Sequence, residues 1–166
     1  MDSKKAVAVA VPAEALAQFA FAPVHYADAF RIALSENRPS EMTALAHDLF
    51  GRRDAFPAYV SWLLSLRNIL IRPFNIKSTM DVEKARDGGV AFFELLQETD
   101  NEVVLGEDDG HLDLRLSLLK THEGERSYLT VTTFVRIHNL VGRCYFAMIK
   151  PFHKRIVMAT MGKALG

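Results

Sequence analysis

Two carboxylates fall where alternation leaves few other polar residues. Asp28 occupies one position of the series Val24, Tyr26, Asp28, Phe30, Ile32 and Leu34, and Glu107 follows Val103 and Leu105 in a second series. A carboxyl on a buried face meets a low dielectric that favours its neutral form, which suits proton transfer or the anchoring of a ligand. The plainer alternative places both acids at the rim of a sheet, in reach of water or a backbone amide, because buried carboxylates are rare unless paired. Were Glu94 to stand across from Glu107, the two would share a proton on burial. His111, Asp113, Arg115 and Arg136 fall on the opposite face, with Asp108 beside His111. This group reads either as a catalytic or anion-binding cluster or as a cross-strand salt-bridge network on the solvent side, and the network is the ordinary case.

Further candidates lie on helical stretches. Arg67 and Asn68 either project a guanidinium and an amide into a cavity or lie on a polar flank. Arg143, Tyr145 and His153 compete to face the sheet from the C-terminal helix; Tyr145 is best suited, since its ring fits a core while its hydroxyl can meet a ligand. The histidines are scattered without a close-spaced helical pair, and the single Cys144 excludes a multi-cysteine site, so neither metal nor cofactor is expected. Nucleophile-elbow, phosphate-loop and dinucleotide fingerprints do not occur.

The elements that must position these residues follow from period and punctuation. Val24 to Leu34 alternates as a strand, with Ser35 to Ser40 as a turn and Ser40 as a helix cap. A short helix, Glu41 to Phe50, is expected to end on a left-handed Gly51. A second begins at Pro57 and stops at Pro73, and residues 75 to 89 form a loop. A strand Val90 to Gln97 turns near Asp100-Asn101 with a register ambiguous by one residue. Two hairpins can be paired by hand. With Asp109-Gly110 as a two-residue turn, Leu105 faces Leu114 and Val103 faces Leu116; with Glu123-Gly124, Leu114 faces Thr133 and Leu116 faces Val131. Both registers put Leu112, Leu114, Leu116 and Leu118 on one face, the face that also carries Glu107. After His138 the period becomes helical: Asn139 is a cap, and Leu140, Cys144, Met148, Phe152, Ile156 and Ala159 run on, flanked by Val141, Tyr145, Ile149 and Val157. Pro151 should bend this helix.

Composition bounds the answer. The 166 residues suit one domain: 1–22 an alanine-rich, partly ordered lead-in, and 23–166 the folded unit. Basic and acidic residues balance at 20 each, which gives no long-range attraction for nucleic acid. The basic cluster Lys150, His153, Lys154, Arg155 and Lys163 reads as a solvated helix face. The start resembles a signal peptide only faintly, being interrupted by Pro12 and Glu14, and no window approaches the ~20 apolar residues of a membrane span. A cytoplasmic protein is expected.

Three segments resemble a known family: Leu105 to Asp113, Arg136 to Tyr145 and Pro151 to Val157, with Tyr26 to Phe30 and Leu66 to Asn68 in support. They look like the bacterial family of domains of unknown function number 2867, whose members occur alone or fused behind short-chain-dehydrogenase-like domains. That family is in turn similar to the START and pollen-allergen (SRPBCC) superfamily, whose helix-grip folds often enclose an apolar cavity. The resemblance implies no reaction.

The expected fold is therefore α+β helix-grip: a curved antiparallel sheet wrapped around a long C-terminal helix, with two short helices after the first strand. The leading expectation for function is binding of a small apolar or amphipathic molecule between sheet and helix. Leu112, Leu114, Val131, Thr133, Val135 and Tyr145 would wall the site, Asp28, Arg67 and Glu107 would be its polar anchors, and a cavity of about 300 Å³ or more should accompany it. The alternatives are an enzyme with Asp28 or Glu107 as general base and Arg67 or Tyr145 steadying an anion, or a module docking a homodimer or a dehydrogenase-like partner.

Overall fold

Alternating residues become a six-stranded, wholly antiparallel sheet in the computed structural model, which describes residues 5–19, 22–35, 41–51, 90 and 93–165. The strands are β1 (Val7–Val9), β2 (Tyr26–Ala33), β3 (Glu94–Glu98), β4 (Glu102–Asp108), β5 (Leu112–Glu123) and β6 (Arg126–Ile137), in the spatial order β1-β2-β6-β5-β4-β3. A short helix α1 (Met42–Ala46) runs into a π-helical turn (His47–Gly51), and the long helix α2 spans Leu140–Leu165. This is the α+β helix-grip arrangement, with two short helical segments after β2. Ser40, the second helix from Pro57, Arg67 and the loop 75 to 89 lie outside the described residues.

Both hairpin registers differ from expectation by two residues. Leu105 pairs with Leu116 and Glu107 with Leu114, and Leu114 pairs with Val135 and Leu116 with Thr133. The turn centres move one residue along, to Gly110-His111, closed by Asp109 N–H to Leu112 O at 3.1 Å, and to Gly124-Glu125. Gly124 has φ of 59°, the positive value that a primed hairpin turn needs at its first central residue. A shift of two preserves side-chain faces, so the leucine face was read correctly although its partners were not. The one-residue ambiguity of β3 has a physical cause: Glu94 pairs with Gly106, but a bulge after Leu95 sets Gln97 opposite Val104. Glu94 therefore does not face Glu107.

The outer face is not the solvent side. His111 is 1% and Asp113 3% exposed, and Ser117, Thr132 and Phe134 are buried as well. The cover comes from the N-terminal stretch expected as a lead-in. Its β1 extends the sheet beside β2, and a 3-10 turn at Leu16–Phe19 brings Ala15 and Ala17 against Val104 and Phe134. Small side chains let this backbone lie close to the sheet, and Glu102 accepts the Leu16 amide on both oxygens, at 2.9 and 3.1 Å, and the Ser117 hydroxyl at 2.5 Å. Burial pushes the Glu102 carboxyl up, partly offset by the Ser117 hydroxyl and the Leu16 and Ala17 amides.

Helix α2 is ~39 Å long at about 1.5 Å per residue and continues through Pro151, which is exposed. Its start is fastened to the β4–β5 turn. Asn139 Oδ1 accepts the Gly142 amide at 3.0 Å as an N-cap, while its Nδ2 donates to Gly110 O at 3.0 Å. The carbonyl of His111 accepts the His138 amide at 3.0 Å, and a Cβ on Gly142 would lie 2.1 Å from that same oxygen. Gly142 to Ala, which in an exposed helix stabilises by ~1 kcal/mol, is here expected to destabilise by about 1–3 kcal/mol, because backbone must move. Urea unfolding of the variant checks the sign.

Candidate functional site

The face that α2 turns to the sheet is one residue out of phase with the stripe expected from residue types. Leu140 is 73% exposed and Phe152 38%, and Cys144 is exposed too. The inward residues are Gly142, Tyr145, Phe146, Ile149, His153, Ile156, Val157, Thr160 and Met161. Between them and the leucine face lies a cavity of about 220 Å³. Leu112, Leu114 and Leu116 from β5 and Val131, Thr133 and Val135 from β6 form its floor; Leu49 and Phe50 of the π-helical turn, with Phe93, close one side. Both halves of α2 contribute, so its second half is not merely the basic outer surface.

All six residues expected as walls line this cavity: Leu112, Leu114, Val131, Thr133, Val135 and Tyr145. The expected anchors divide. Glu107 stands on the leucine face, half-buried opposite Leu114, but is not among the lining residues. Arg67 lies outside the described residues. Asp28 stands immediately behind the wall, on β2, directly across from Thr133 of β6.

Around Asp28 the structure assembles a polar group that pattern reading did not place. The Tyr26 hydroxyl donates to Asp28 Oδ2 at 2.7 Å, and His153 Nε2 lies 3.1 Å from Oδ1. The Tyr26 ring packs edge-on against Phe146 and His153, with centroids 4.9 and 6.0 Å away, and Lys150 Nζ is 5.3 Å from its centroid. Burial, with the hydrogen bond and charge of Asp28, pushes the Tyr26 hydroxyl well above its ordinary pKa. His153 thus leaves the surface cluster of Lys150, Lys154, Arg155 and Lys163, all of which are exposed. A lone histidine among lysines on a helix looks solvated by composition. The available signal was its i+4 spacing from Ile149, which lines the cavity.

Thr133 and Thr160 supply the remaining polar atoms of interest. They are 1% and 2% exposed, and among the described residues neither hydroxyl has a hydrogen-bond partner. A buried hydroxyl left unpaired costs ~1–3 kcal/mol.

The His111, Asp113, Arg115 and Arg136 group proves to be a structural network. The two-residue register shift brings Arg136 opposite Asp113, to which it donates at 2.5 and 2.9 Å, and His138 Nε2 lies 2.9 Å from the other oxygen. Arg115 holds Asp108 at 2.5 and 3.1 Å, over the space left by Gly106, where a Cβ would meet Leu96. His111 packs its ring against Tyr145, centroids 5.3 Å apart, with Nδ1 3.3 Å from Asp109 Oδ2. Burial pushes the Asp113 carboxyl up, but hydrogen bonds from His138 and Arg136, with their charges, outweigh this and hold it below the usual carboxylate value. Among the described residues no group of three or more His, Cys, Asp or Glu could hold a metal ion, and no helix is long and apolar enough to cross a membrane.

A profile of the family described as proteins of unknown function, DUF2867, matches residues 20–160. The chain belongs to this family. For this DUF2867 protein, no curated protein and no solved structure gives a significant match.

Two expectations follow for the DUF2867 chain. Thr133 to Val replaces an unpaired hydroxyl with a methyl of like shape, so stability in the absence of ligand should rise by about 1 kcal/mol, read from the urea midpoint. Because the folded Asp113 pKa lies below its unfolded value, the stability its network contributes is complete above the unfolded pKa of about 4 and is lost as pH falls toward the folded value. In Asp113 to Asn, stability between pH 5 and pH 2 should therefore fall less steeply than in the parent, as followed by thermal unfolding.

Proposed function

We propose that this protein binds a small, largely apolar molecule in the cavity between the sheet and α2. The carrying observation is the cavity itself: about 220 Å³, walled by leucine, isoleucine, valine and aromatic side chains, in a fold whose other sheet face is partly covered by the N-terminal segment. An apolar void of this size loses packing contacts on every side, and an occupant restores them. The volume is below the ~300 Å³ at which drug-sized pockets begin, and equals about seven waters at ~30 Å³ each. The space suits a small occupant. The likeness of the element order to START and SRPBCC helix-grip domains, which often enclose apolar cavities, points the same way as analogy.

A second reading rests on the Asp28–His153 hydrogen bond at the cavity wall. A carboxylate that fixes an imidazole tautomer is the arrangement of a general base, so an acid–base enzyme acting on the same occupant is the alternative. Glu107, which does not reach the cavity, has no part in it.

Native mass spectrometry of protein purified gently from cells should show a retained adduct of small mass. Ile149 to Trp, which places an indole in the space from the helix side, should remove the adduct while the far-ultraviolet circular dichroism stays unchanged. An adduct that survives in the filled variant would locate binding elsewhere.

A further inference from the structure

The polar atoms bordering the cavity are few and not scattered. The lining residues with a polar side-chain atom are Thr133, Tyr145, His153 and Thr160. Thr133 and Asp28 are direct cross-strand partners on one face of β6 and β2, which sets their Cβ atoms about 5 Å apart. His153 descends from α2 onto the same carboxylate, at 3.1 Å. Three elements thus deliver a carboxylate, an imidazole and a hydroxyl to one place in a mostly apolar wall, and among the described residues that hydroxyl has no partner.

On this pocket reading, we infer that the occupant carries a hydroxyl group, as a phenol or short alcohol does, and that this hydroxyl docks at the Asp28, His153 and Thr133 corner. The bonding capacities decide the class. Asp28 accepts from Tyr26 and lies against His153 Nε2, and the two oxygens of a carboxylate hold about four lone-pair sites, so the corner keeps accepting capacity. Thr133 holds one hydroxyl that can both donate and accept, and a third of a turn about χ1 carries that hydroxyl to the position its methyl held, so the residue that lines the cavity can present either. A ligand hydroxyl satisfies both demands at once, donating to the acceptor side and accepting from Thr133. A ligand carboxylate would set a second negative charge beside Asp28 in a low dielectric and offers no donor. A pure hydrocarbon fills the space and leaves Thr133 unpaired. The rings of Phe50, Phe93, Tyr145 and Phe146 around the cavity favour a planar aromatic body.

Three probes of common shape separate these cases: toluene, p-cresol and 4-methylbenzoate, titrated into the full chain at pH 7 by calorimetry, where p-cresol keeps its proton because a phenol pKa is about 10. The expected result is p-cresol binding about tenfold or more tighter than either of the others, a step of about 1.4 kcal/mol. Thr133→Val should weaken p-cresol by about tenfold while leaving toluene within about twofold. Asp28→Asn should narrow the gap between p-cresol and 4-methylbenzoate. Toluene binding as tightly as p-cresol would overturn the hydroxyl assignment and leave the pocket reading standing. Equal or tighter binding of 4-methylbenzoate would do the same. If no probe binds, the pocket reading fails and this inference fails with it. Should Asp28→Asn not fold, the Thr133→Val comparison decides alone.

Discussion

The position of α2 over the sheet is set by one close approach at its first turn. The His111 carbonyl, at the tip of the β4–β5 hairpin, accepts the His138 amide and lies against Gly142, where no side chain would fit. Asn139 ties the same junction from both directions, capping the helix and holding Gly110. These contacts fix where α2 begins and which way it points. Everything beneath the helix inherits that placement, since moving its origin by one residue would rotate Tyr145, Ile149 and His153 about 100° around the axis and away from the sheet. The height of the cavity is therefore a property of a hairpin turn as much as of the residues that line it.

Within that frame the wall is unequal. Most of it is hydrocarbon, and a polar group interrupts it where β2 and β6 lie side by side. Phe30 pairs with Val131, Ile32 with Leu129 and Asp28 with Thr133, so the same register that builds the core inserts one polar pair into it. His153 meets that insertion from above, and the Tyr26 hydroxyl donates to the other oxygen of the carboxylate. The outer face solves the same electrostatic problem differently. Asp108 and Asp113 stand directly opposite one another, which alone would be repulsive, and each has its own cation in Arg115 and Arg136. One face uses charge to hold strands together; the other leaves a polar corner against empty space.

What the sequence revealed depended on which physical period carried the information. Side-chain alternation has period two, so Leu112, Leu114, Val131, Thr133 and Val135 could be assigned to the cavity floor even with each hairpin slipped by two residues. The slip arose because Asp-Gly and Glu-Gly look like turn centres, whereas each glycine occupies the first central position instead. The β3 ambiguity was a bulge, which no single register describes. Helical phase was harder to read. Leu140, Cys144 and Phe152 outrank Gly142 and His153 on any hydrophobic scale, yet the latter face inward, because close backbone approach and a hydrogen bond to Asp28 decide the matter rather than transfer free energy. The N-terminal stretch was least legible, since alanines that pack closely show no amphipathic pattern until Val104 and Phe134 are known to lie beneath them.

The strand order also bears on how the chain reaches this state. β3 to β6 form a meander of short connections that can assemble locally, but β2 must find β6 across roughly a hundred residues of intervening chain, and β1 can add only after β2 is in place. Asp28 and Thr133, which meet across that late seam, come together only when the slowest pairing is complete. The Asp28–Thr133 corner and the last-formed part of the sheet are then the same place. A chain stalled before that step would hold most of its leucine core while lacking the seam that brings Asp28, Thr133 and His153 together.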